Sequence, residues 1–294
     1  MKNSIMLDAA GFAATMLLSQ AGVVNAAEIK VMSANGLQEV MENLGPKFER
    51  VSGHKLAITF ATLGVVVKRV QDGETADVVI IPREGINSFV KDGKTVAGNV
   101  TVIAQSDVAV AVRKGAPKPD IWSPEAFKRT LLAAKSITYG DPALGGASGI
   151  HFAEVIEHLG IANEMKAKTV LAKTAKDVGI LVANGTAEIG VAQFQVLVSI
   201  AGIELVGPLS VELQETLVFS AAIMAVAKDA EAAKALVNFL HTPEAAAVIR
   251  EKGMHPGTDS IKIAVRTENE EAPTETTLLS RWLHCLDRAC GEAW

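Results

Sequence analysis

Cysteine is scarce: the 294-residue chain has two, Cys285 and Cys290, both near its end. No disulfide framework can therefore hold the body together, and stability must come from packing. Positive charge is also short. The formal net charge is -5, and no basic stretch interleaved with aromatics occurs, which argues against nucleic acid as a partner. No apolar run reaches the roughly 20 residues of a bilayer span. Zinc-ligand spacings, a Ser-His-Asp set and a phosphate-binding P-loop are missing, so neither a metal nor a cofactor is expected. The chain is nevertheless 49% hydrophobic, enough to bury a core as one large or two modest domains.

What is present begins with "MKNSIMLDAAGFAATMLLSQAGVVNAAEIK", which has Lys2, an apolar stretch from Ala9 to Leu18, and the small-residue cleavage pattern Val24-Asn25-Ala26. This predicts an export leader over residues 1–26 and a periplasmic location. Asp8 in the lead-in leaves an amphipathic cytosolic start as the alternative. From Glu28 onward, strand and helix patterns alternate. "EIKVMSA" (28–34), "KLAITFA" (55–61) and "ADVVIIP" (76–82) read as strands, and "GLQEVMENLGPKFERVSG" (36–53) as a helix stopped by Gly53. "GVVVKRVQDG" (64–73) reads as a short helix, although its valines could extend a strand. Later segments repeat the alternation, with Ser123 before Pro124 as a helix cap, and two closing helices broken at Pro243. An α/β fold with mostly parallel sheets flanked by helices follows.

One stretch carries a chemical signal. In "GDPALGGASGIHFAEVIEHLG" (140–160), Ile150, Ala153, Val155, Ile156 and Leu159 recur at helical spacing, and Gly160 ends the helix. Gly145, Gly146, Ala147 and Ser148 precede it as a small-residue loop. Such a loop ends where unpaired N–H groups and the helix dipole attract an anion. His151 lies in the first turn, either as a surface histidine or as a base in a cleft. Beyond Gly257 the periodicity stops. Residues 258–294 hold four basic and seven acidic side chains, both cysteines and two of the three tryptophans, and read as a poorly ordered appendage.

The stretches "IKVMSANGLQEVMENLGPKFERVSGHKLAITFATLGVVVKRVQDGETADVVI", "GDPALGGASG", "AEIGVAQ" and "ALVNFLHTPEAAAVIREKGMHPG" together resemble the periplasmic molybdate-binding protein family, over about Glu28 to Gly257. The resemblance implies a two-lobed periplasmic-binding-protein type II fold. Lobe 1 would comprise 27–107 and 222–257 and lobe 2 residues 108–221, with crossovers near Val108–Val112 and Leu217–Ala222. It also implies a cleft that closes on an anion.

Carried over by position, the family's first anion-binding serine falls on Gly36, beside Asn35, and its second on Leu63, beside Thr62 and Gly64. The alanine that gives its backbone N–H falls on Ser148, before Gly149, and the tyrosine on Gln193. The backbone scaffold is thus kept while hydroxyls are lost, and a buried tetrahedral oxyanion needs several inward donors. An organic carboxylate, with Arg83 as a possible cationic partner, fits the remaining set better. Each residue also has a plainer reading: Asn35, Thr62 and Gly64 as turn residues, Ser148 as a cap, Arg83 and Gln193 as solvated surface groups. The function expected is a monomeric exported receptor that hands a small anion to an ABC transporter permease. The alternatives are an isomerase of an unsaturated carboxylic acid on the same scaffold, with His151 as base, and a cytosolic anion sensor.

Overall fold

The computed structural model describes residues 26–257. The predicted leader apart from Ala26, and segment 258–294 with Cys285 and Cys290, lie outside the described residues. Strand β1 (Glu28–Ala34) passes through a 3-10 turn (Asn35–Leu37) into α1 (Gln38–Ser52). There follow β2 (Lys55–Ala61), α2 (Leu63–Gln71), β3 (Val78–Pro82), α3 (Arg83–Lys91), β4 (Thr95–Ser106) and β5 (Val108–Arg113). The next elements are α4 (Pro124–Ala133), β6 (Ile137–Gly140), a 3-10 turn (Pro142–Leu144), α5 (Ala147–His158), α6 (Ala162–Lys166) and β7 (Thr169–Ala172). Then come α7 (Ala175–Ala183), β8 (Ile189–Gln193), α8 (Phe194–Leu197) and β9 (Ile203–Pro208). The described chain closes with β10 (Leu217–Met224), α9 (Ala230–Phe239), α10 (Pro243–Glu251) and β11 (His255–Pro256).

The strands form two sheets, one ordered β11-β4-β10-β3-β1-β2 and the other β7-β6-β8-β5-β9. The α/β two-lobed architecture stands, but each sheet is mixed. Strands β1, β2 and β3 run parallel, as do β6, β7 and β8, whereas β10 and β4, and likewise β5 and β9, pair antiparallel. The antiparallel pairs arise where the chain passes between sheets. It leaves the six-stranded sheet at Asp107 and returns through 209–216. Both segments expected to be crossovers are instead strands within one sheet. Val108–Val112 pairs only within the five-stranded sheet, and Leu217–Ala222 pairs with β3 and β4, so the chain has rejoined the first sheet by Leu217 rather than 222. The reason is burial: Val108 to Val112 are at most 3% exposed, as an inner strand requires, while the polar link residues are left to bridge.

Local chemistry explains the element ends. Gly53 takes the left-handed conformation (φ 74°) that stops α1, and Ser123 Oγ accepts from Ala126 N at the start of α4. The valine run 65–67 is helical because Leu63, Val66, Val67 and Val70 share one face, with Val66 and Val70 buried, while Val65 stays exposed. The described residues contain no cysteine, and they are held by a large apolar interior that includes Phe48, Phe89, Phe127, Phe152 and Phe219. No helix among the described residues is long and apolar enough to cross a membrane.

Candidate functional site

The parallel strands decide where the site lies. Each of β1, β2, β3, β6, β7 and β8 leads at its C-terminal end into a helix or helical turn, so six helix starts gather on one cleft. Its lining includes Asn35 and Gly36 after β1, Thr62 and Leu63 after β2, and Pro82 after β3. The other sheet contributes Gly146, Ala147 and Ser148 before and within α5, Thr174 and Ala175 at α7, and Gln193 at α8. Helix starts present N–H groups without intrahelical partners, and their dipoles add positive potential. One of the six is partly self-satisfied: Thr174 Oγ1 accepts from Asp177 N (3.2 Å) while Asp177 Oδ2 accepts from Thr174 N (3.0 Å), a capping box.

Side-chain charge in the cleft is sparse. Lys173 and Asp141 are its titratable lining groups, and Asp141 Oδ1 is already engaged, accepting from Ala143 N at 2.9 Å. Gln193 is 7% exposed, and its Oε1 has no partner among the described residues. A half turn of the amide would present Nε2 instead, so this side chain can offer either an acceptor or a donor to a bound molecule. The remaining wall is apolar, from Ala34, Ala61, Leu63, Pro82 and the ring of Phe219. At Gly36, a Cβ would lie 3.1 Å from Phe219 Cζ and 3.3 Å from Gln195 Nε2. The space a serine side chain would need is thus filled by a ring edge and by Gln195, which donates to Gly36 O (2.9 Å) and accepts from Ser106 Oγ.

Of the residues singled out from sequence, Asn35, Gly36, Thr62, Leu63, Ser148 and Gln193 line this cleft. Ser148 is the second residue of α5 rather than its cap, which is Gly146. Gly64 sits at the rim, where its N–H donates to Gly145 O (3.0 Å) and Thr62 Oγ1 donates to Leu144 O. Those two bonds join the six-stranded half to the five-stranded half across the cleft. Gly149 does not line it. A Cβ there would stand 2.1 Å from Gly140 O, so this glycine lets α5 pack against β6. Arg83 opens α3 behind Pro82 and is also outside the lining. His151 is neither on the surface nor in the cleft. It is 9% exposed, with Nε2 2.9 Å from Leu213 O and Nδ1 3.0 Å from Glu215 Oε2, because α5 turns that face toward the 209–216 link.

Sequence reading missed Lys173, Thr174, Asp141 and Phe219. For Thr174 the signal existed, since Thr-x-x-Asp is a capping pattern at a helix start. For Phe219 there was none: it reads as one more apolar residue of a strand.

The model of the family described as bacterial extracellular solute-binding protein matches residues 29–255. The chain is 31% identical over 259 residues to an aconitate isomerase from Pseudomonas, covering 86% of this chain and 96% of that protein. It is 29% identical over 239 residues to a molybdate-binding protein of Azotobacter vinelandii, covering 78% and 90%. Among solved structures, the sulfate-binding protein of Mycobacterium tuberculosis superposes with a TM-score of 0.67 at 17% identity, covering 78% of this chain and 87% of that one.

Proposed function

From a chain that belongs to the bacterial extracellular solute-binding protein family, we propose a receptor that captures a small organic polycarboxylate in the cleft, in the periplasm, and delivers it as a monomer to an ABC importer. The observation that carries this reading is the pairing of converging helix starts with an apolar wall at Leu63 and Phe219. Helix starts neutralise carboxylates, and the apolar wall suits a carbon skeleton between them. A fully ionised tetrahedral oxyanion would face that wall with hydrogen-bond acceptors unmet, at a cost of several kcal/mol or more. Among the described residues Lys173 supplies the one cationic lining side chain, and Gln193 a neutral hydrogen-bonding group. A calorimetric panel of molybdate, sulfate, phosphate and di- and tricarboxylates tests this. Saturable binding of a polycarboxylate with no response to molybdate is expected, and molybdate as the tightest ligand would overturn it.

A second reading is favoured by the 31% identity to an aconitate isomerase over nearly the whole chain. Moving a double bond in an unsaturated tricarboxylate requires one proton to leave carbon and one to return. His151 does not suit that role, since it lies outside the lining and both its nitrogens have partners. Asp141, with Oδ2 left to accept a proton, and Lys173 are the lining groups that could serve. NMR of cis- and trans-aconitate incubated with the protein in deuterated water separates the readings. Interconversion with deuterium uptake, lost in Asp141→Asn or Lys173→Met, makes the protein an isomerase, whereas binding without conversion leaves it a receptor.

A further inference from the structure

Away from the cleft, His151, Glu154 and Glu215 bring their ligand atoms within 4.8 Å of one another. His151 and Glu154 share a face of α5 at i and i+3, and Glu215 comes from the 209–216 link between the sheets. The hydrogen bonds of the imidazole constrain what this cluster can be. Leu213 O can only accept, so His151 Nε2, at 2.9 Å, carries a hydrogen and donates it. In a neutral ring, Nδ1 then presents a lone pair to Glu215 Oε2 at 3.0 Å. Two acceptors at that separation repel unless a positive centre lies between them.

A proton on Nδ1 would answer that need without Glu154. A metal ion uses all three groups, and the arrangement has the marks of a metal-binding histidine: one ring nitrogen is tied to a carbonyl, which fixes the tautomer and aims the other nitrogen. We propose that His151 Nδ1, Glu154 and Glu215 bind one divalent transition-metal ion of the zinc class. The imidazole selects zinc-like ions over calcium or magnesium, which prefer oxygen alone. Bonds of about 2.0–2.1 Å in a tetrahedron put two ligand atoms about 3.3 Å apart, a few tenths more than the present N–O distance. Glu154 and Glu215 are exposed and can make that adjustment, with water completing the coordination. The ion would tie α5, whose first turn lines the cleft, to the link by which the chain returns to the six-stranded sheet.

The test uses the full chain with Cys285→Ser and Cys290→Ser, which removes the thiols, stripped with chelator and titrated with Zn2+ by calorimetry. One ion per chain is expected, with affinity reduced at least tenfold in Glu154→Gln and, separately, in Glu215→Gln. Both positions are exposed, so the variants keep the fold; circular dichroism checks this. Co2+ should show the absorption of a nitrogen/oxygen site, weakened in the same variants. No binding, or binding that neither variant alters, overturns the proposal. Sensitivity to Glu215→Gln alone overturns it too, because the ion would then be held without Glu154.

Discussion

Asp77 is 4% exposed, and its carboxylate takes over from strand pairing at the point where β3 begins and β10 ends, beside β1. Oδ2 accepts from Lys30 N and Oδ1 from Lys228 N, each at 2.7 Å, while the main chain of Asp77 bonds Lys30 O and Met224 N. Asp77→Ala removes the acceptor of two part-buried N–H hydrogen bonds, and hydrogen bonds to a charged acceptor contribute about 1.5–3 kcal/mol each. A loss of about 3 kcal/mol or more in unfolding free energy is expected, read from urea denaturation. At Gly36 the argument concerns selectivity. A serine placed there presses on Phe219 and Gln195, and overpacking of this kind costs about 1–3 kcal/mol. Gly36→Ser should therefore lower the melting temperature and still confer no molybdate binding in calorimetry. The sequence showed that a hydroxyl was absent at this position; that an aromatic edge had taken its space depends on a strand 183 residues further on.

At the scale of elements, α5 shows how a short run of glycines sets a site. Its first turn approaches the end of β6 so closely that a Cβ on Gly149 would overlap the Gly140 carbonyl. Gly149→Ala must push the helix start outward by an ångström or more. We expect destabilisation of about 2–3 kcal/mol together with at least tenfold weaker anion binding, measured by calorimetry on folded protein. The helix and its stop at Gly160 were legible from periodicity, but the facing of His151 was not. Ile150, expected on the apolar face, is half-buried, and His151 is the buried one, because the 209–216 link covers that side. Helix α3 escaped the sequence reading although Ile86, Phe89 and Val90 stand at the i, i+3, i+4 spacing of a helix face, because it is only nine residues long and Pro82 caps it without a side-chain hydrogen bond that would mark its start. The two 3-10 turns and the four-residue α8 are too short for any periodicity to reveal.

Over the whole molecule, the two sheets repeat one plan that no short sequence period announces. The run β2-β1-β3-β10-β4 has the same order and directions as β7-β6-β8-β5-β9. Helices α1, α2 and α3 therefore correspond to α5, α7 and α8, and the starts of all six turn to the same cleft. The halves meet where Gly64 faces Gly145. A Cβ on Gly64 would lie 2.9 Å from Gly145 Cα, so Gly64→Ala blocks this contact without disturbing either sheet. Small-angle scattering should show the variant retaining a larger radius of gyration in the presence of ligand, and calorimetry a weaker affinity. Equal compaction of variant and parent would show that the contact is dispensable for closure.

Periodicity and capping in the sequence already mark many of the elements from Glu28 to Pro256, the small-residue approach to a helix start at residues 145–148, and the lack of a side-chain hydroxyl at Gly36 and Leu63. These are local properties, set by the spacing of apolar residues and the chemistry of single positions. Which strands share a sheet, where the chain changes sheets, that Phe219 and Lys173 join the cleft, and that Gly149 and His151 lie outside it are visible in the folded chain alone. Those depend on contacts between residues far apart in the chain, and burial on a strand or helix says that a side chain has a partner without saying which.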